Sequence, residues 1–233
     1  MKYDVVIRCR NEMKWLPRVI DSIQKQTIKA SKIILVDNSS NDGSREYAIK
    51  QGCLLVKYDK PTFNYSHALN IGIRETSEKE ILILSAHCEI LTTNSVENMI
   101  DVRQKFTAAG VYGRQIPTID SNPVDTRDLI TVFGRERIVY EKYPFFHNAF
   151  SLIERSAWES CPFNENLNGV EDRFWARQQA EKGRKIIYDP ESVVFHEHGL
   201  NQGVSFERAL RVCNSLEDFH KDDIFTWPTF KNK

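Results

Sequence analysis

Over its first 114 residues the chain alternates two kinds of segment, and that rhythm constrains its fold more than any other feature. Short apolar runs come at Val5 to Arg8, Lys32 to Val36, Cys53 to Tyr58, Ile81 to Ser85 and Gly110 to Arg114. Between them lie helix-like segments: first Trp15, Leu16, Val19, Ile20 and Ile23 at helical spacing, then Arg45 to Gln51, Ser66 to Thr76 and Ser95 to Phe106. Pro17 fits only the start of its helix. Strands that alternate with helices at this rhythm run parallel in a sheet covered on both faces. The expected fold class is therefore α/β.

The second half changes character. Residues 115–145 are polar and irregular, with Pro117, Pro123 and Pro144. A strand is expected over Asn148 to Glu154, and a helix over Glu171 to Lys182 with acids in its first turn and Gly183 as its stop. Short strands at Lys185 to Tyr188 and Ser192 to His196 precede a closing helix, Phe206 to Leu216. With no repeat and no flexible linker, residues 1–217 are expected to form one domain of two halves, 1–114 and 115–217, followed by a tail at 218–233.

Composition narrows the class further. In 233 residues, 32 Lys plus Arg balance 32 Asp plus Glu, which argues against a protein that grips nucleic acid. The apolar runs are too short to span a bilayer, and the N-terminus carries early acids and no long apolar stretch, unlike a signal peptide. Cys9, Cys53, Cys88, Cys161 and Cys213 are odd in number and scattered, as in reduced cytosolic thiols. No GxGxxG or GxxxxGKS run follows any strand, so the dinucleotide and P-loop readings fail.

Open parallel sheets bind ligands at the carboxyl ends of their strands. Reactive residues collect there at Arg8 to Glu12, Asp37 to Gly43, Ser85 to Glu89, and Gly169 to Asp172 with His196 to His198 downstream. Asp37 would either accept hydrogen bonds from a base or ribose, or cap its turn as an ordinary Asx residue. Of His87, Cys88 and Glu89, at most two can face one metal, because neighbours on a strand point to opposite faces. His196 and His198 share a face if they lie on a strand. Glu171 and Asp172 would compensate a helix dipole, or one of them would serve as a general base.

Taken together, VVIRCRNE, SIQKQT, IILVDNSSNDGS, NYSHALNIGI, LILSAH and NGVEDRFWARQQAEKG resemble, in order, the motifs of family 2 glycosyltransferases of the GT-A fold. FNYSHALN, LSAHCE, YGRQ, PFFHNAFSLIERSAW and VFHEHG are similar to bacterial enzymes that build capsule or lipopolysaccharide. The resemblance implies a Rossmann-like, mostly parallel sheet with a nucleotide-sugar half and a smaller mixed acceptor half. It implies an inverting transfer from a nucleotide-sugar, a UDP-sugar in the first instance or a CMP-sugar, to a hydroxyl of a glycan or glycolipid. It also implies a cytoplasmic place of work, at the inner face of the membrane or with peripheral contact to it.

Residue by residue, Asp172 would be the catalytic base, with Glu171 next in line. Arg8, Asn11, Glu12, Asp37, Ser39, Asn70, Ala86 and Arg114 would bind the donor. Where the family carries Asp-x-Asp, this chain reads Ser85-Ala86-His87. A divalent Mn²⁺ or Mg²⁺ would then fall to His87 with His198 or His196. The missing carboxylates also motivate a second reading, a non-catalytic nucleotide- or carbohydrate-binding module on the same scaffold.

Overall fold

A computed structural model of the chain describes residues 1–167, 169–197 and 210. His198, Cys213, the helix expected over 206–216 and the tail lie outside the described residues.

The alternation predicted for the first half is present. β1 (Tyr3–Cys9), β2 (Ala30–Asp37), β3 (Leu54–Lys57) and β4 (Glu80–Ser85) are parallel strands, linked by α1 (Leu16–Gln24), α2 (Ser44–Lys50) and α3 (Tyr65–Arg74). Pro17 sits in the first turn of α1, where its missing N–H costs nothing. Asn64 caps α3 by accepting from the His67 N–H at 2.8 Å. β5 (Cys88–Ile90), α4 (Ser95–Phe106) and β6 (Ala108–Ile116) complete that half, β6 running longer than expected.

In the second half the stretch read as irregular holds α5 (Pro123–Val132) and β7 (Ile138–Tyr140). The signal for α5 was available: Asn122 accepts from the N–H groups of Val124 and Asp125, and Pro123 occupies the first turn. β8 (Phe150–Glu154), α6 (Arg155–Glu159) and α7 (Glu171–Glu181) follow. The two short strands expected last are one, β9 (Lys185–His196). Its register against β6 slips between Gly113 and Arg114, which absorbs the turn-like Asp189-Pro190.

The sheet order is β3-β2-β1-β4-β8-β6-β9-β5, with β7 on β9. Only β8, β5 and β7 pair antiparallel to their neighbours. Successive residues of β1 enter different cores: Val5 and Ile7 pack with α1 and α4, and Val6 packs with α3 and the aromatic residues of the second half. Burial on both faces is why these strands carry continuous apolar runs. Among the described residues no helix is long and apolar enough to cross a membrane.

Candidate active site

The carboxyl ends of β1, β4, β6 and β9 lie along one edge of the sheet. Because β8 runs antiparallel between β4 and β6, its beginning rather than its end reaches that edge. The α7 N-terminus closes the far side. Two adjoining cavities of about 270 Å³ and about 50 Å³ open there, sharing Arg8, Tyr65 and Ser85 in their walls. The larger reaches Glu12, Asn38 and His87. The smaller reaches His147, Asn148, Glu171, Asp172 and His196.

Arg8 stands where the cavities meet. Its guanidinium lies over the Tyr65 ring, 4.8 Å from the centroid, and its Nη1 is 3.7 Å from Glu171 Oε1. Arg8 Nε and Nη1 are buried and have no hydrogen-bond partner among the described residues. The Nδ2 amide of Asn148, which lines the smaller cavity with Arg8, is in the same condition. A buried donor left unbonded costs free energy, so these groups form a cradle suited to an anion.

Glu171 and Asp172 begin α7, and both are buried. Glu171 Oε2 accepts from Gly169 N at 3.0 Å. Asp172 accepts from Asn148 N at 3.1 Å and from Arg173 N at 2.8 Å. Burial, and then the neighbouring Asp172 charge, push the Glu171 carboxyl up to about 7, with Arg8 pulling the other way. The dipole reading and the general-base reading are thus compatible, since both carboxylates sit at the helix start and face the cavity.

His87, Cys88 and His196 bring one potential ligand atom each within 4.8 Å of one another. The two imidazoles stack at 5.2 Å with an 11° interplanar angle. Glu89 turns away to Arg18 at 2.6 Å, as strand alternation requires.

Several residues expected to bind the donor also hold the scaffold. Asp37 accepts from Ser40 N and pairs with Arg45 at 3.6 Å, so its turn-capping role is realised. Asn11 Oδ1 accepts from Asn41 N at 2.8 Å. Returning bonds run from Asn11 N to Ser40 Oγ, Glu12 N to Ser44 Oγ and Met13 N to Asp42 Oδ2. The DNSSNDGS run therefore clasps the loop after β1. Ser39 is exposed with φ of 56°, and Ala86 is buried in the turn after β4.

Two expected donor residues are not in the walls of these cavities. Asn70 lies outside the cavities, its amide consumed by Phe163 O, Phe163 N, Glu165 Oε1 and Trp158 Nε1. Arg114 lines neither cavity, and its charge acts on the Tyr188 phenol. Of the eight donor positions, Arg8 and Glu12 line the larger cavity. Sequence reasoning assigned no role to Tyr65, His147 and Asn148, although NYSHALN and PFFHNAF carried all three.

The model of glycosyl transferase family 2 matches residues 4–161. The O-antigen chain rhamnosyltransferase RfbN of Salmonella typhimurium is 27% identical over 89% of this chain and 70% of its own. WbaN of Salmonella anatum, another O-antigen chain rhamnosyltransferase, is 27% identical over 83% and 66%. Among solved structures, the mannosyltransferase of Pyrobaculum calidifontis in complex with GDP-Man and Mn²⁺ superposes with a TM-score of 0.67 at 19% identity, over 92% of this chain and 61% of that one. The chain thus spans about two thirds of these relatives' length. The likeness establishes the expected GT-A fold.

Proposed function

The chain belongs to glycosyl transferase family 2, and from that premise we propose that it is an inverting enzyme. It moves a sugar from a nucleoside diphosphate donor to a hydroxyl of a bacterial surface glycan of the O-antigen kind. The observation that carries this reading is Arg8: a half-buried cation with two buried, unbonded nitrogens, between the larger cavity and the carboxylate pair. The rhamnosyltransferase relatives support the acceptor class.

In this reading the nucleotide occupies the larger cavity and the scissile bond lies over Arg8. Asp172, held by two backbone N–H groups, takes the proton of the acceptor hydroxyl as that oxygen bonds to the anomeric carbon. The bond to the phosphate oxygen breaks, and its electron pair leaves with the nucleotide. Arg8 and Asn148 donate to the departing phosphate, and their preorganisation is the source of transition-state stabilisation. A single displacement inverts the anomeric centre. Glu171 keeps Arg8 aimed between the two cavities.

The donor set of His87, Cys88 and His196 fits a divalent transition metal, imidazole and thiol being poor partners for Mg²⁺. When bound, such an ion supplies Lewis-acid charge neutralisation at phosphate oxygens. A buried carboxylate pair beside an anion cradle has no use in a pure binding module, so that alternative is not favoured.

The test is donor binding and turnover of Asp172→Asn. A nucleoside diphosphate at about 100 times its dissociation constant should raise stability by roughly 2.7 kcal/mol in both proteins. Transfer by the variant should fall about 100- to 10,000-fold. Near-wild-type turnover would move the base to Glu171, and the absence of any nucleotide shift would overturn the transferase reading.

A further inference from the structure

Gln115 is fully buried at the end of β6, between two histidines. Its amide nitrogen lies 3.0 Å from His147 Nδ1, and its Oε1 lies 2.7 Å from His196 Nδ1. The backbone N–H of Ala149 also reaches His147 Nδ1, at 3.3 Å.

A backbone N–H can only donate, so His147 Nδ1 carries a lone pair. An unprotonated nitrogen can meet Gln115 only through N–H, which turns the amide oxygen toward His196. That oxygen only accepts, so His196 Nδ1 holds the proton and, in the neutral ring, Nε2 holds the lone pair. Glu12 Oε1, 2.9 Å from His87 Nδ1, imposes the same tautomer on His87. Both stacked imidazoles thereby carry their lone pairs on Nε2, and His147 carries its proton there.

We propose that Gln115 is a positioning residue that locks His147 and His196 in opposite tautomers and so sets His196 Nε2 as a metal-ligating atom. The final clause rests on the metal reading above; the tautomer pattern does not. Outer groups of this kind typically set ligand orientation and basicity, and losing one costs about 10- to 100-fold in metal affinity.

The experiment begins with metal-free protein labelled with ¹⁵N-histidine, read by long-range ¹H–¹⁵N correlation at pH 8, with His147→Asn and His196→Asn assigning the signals. His196 should appear as the Nδ1–H tautomer and His147 as Nε2–H; an Nε2–H His196 overturns the proposal. Mn²⁺ titration, followed by electron paramagnetic resonance, then compares the wild type with Gln115→Leu and Gln115→Glu. The leucine variant should bind about 10- to 100-fold more weakly. The glutamate variant, whose carboxylate still accepts from His196, should stay close to wild type, and it serves if the leucine variant folds poorly. Equal affinity in Gln115→Leu and wild type overturns the proposed role. A wild type with the expected tautomers but no Mn²⁺ binding supports the tautomer lock and overturns the metal reading instead.

Discussion

Glu171 and Asp172 are adjacent in the chain, yet the fold gives them different surroundings. Asp172 is met by two backbone N–H groups, whereas Glu171 has one, together with an arginine 3.7 Å away. Desolvation and the Asp172 charge hold the Glu171 proton up to about 7, far above the ordinary carboxylate range. Between that range and pH 7 the unfolded chain releases this proton while the folded chain keeps it. Stability from this group therefore falls as pH rises through the window. Glu171→Gln carries no charge at any pH. Its melting temperature relative to wild type should rise by a few degrees between pH 5 and pH 8, measured by calorimetry at both. A difference that stays constant across that range would show that Glu171 ionises normally.

At the scale of elements, close packing sets the site's geometry. α3 presses on the sheet through Gly72, where a Cβ would lie 2.6 Å from Val6 Cγ1 and 2.7 Å from Val36 Cγ2. Both valines are buried β-branched side chains on central strands and cannot swing aside. Gly72→Ala should therefore destabilise the protein by about 1–3 kcal/mol through overpacking. That holds even though alanine gains about 1 kcal/mol of helix propensity. A urea midpoint that rises in the variant would contradict this. The same close approach places Tyr65, at the N-terminal end of α3, against Arg8 at the end of β1. Local spacing located α3 itself. It did not show that its first residue would face the cavity.

For the whole molecule, the decisive feature is that β8, from the second half, lies between β4 of the first half and β6. A second fastening runs from α3 to the segment before α7: the Asn64 and Ser66 side chains donate to Leu167 O, and His67 Nδ1 lies 2.9 Å from Glu165. Halves that share one sheet cannot unfold separately without exposing both cores. Native-state hydrogen exchange should therefore return one global free energy for the slowest amides of β1 and of β9. Two distinct values would show that residues 1–114 and 115–217 are independent units. The sequence by itself determined most of the strands and helices, the parallel run of the first half and the strand-end loops where chemistry collects. Those rest on apolar spacing and capping, which are local and leave a periodic trace. Only the tertiary structure decided which polar groups meet. Gln115 reaches His147 and His196 across 32 and 81 residues, and the run after β2 serves as a clasp. Such pairings follow from strand order and register, and a hydrogen bond between distant residues leaves no period in the chain that makes it.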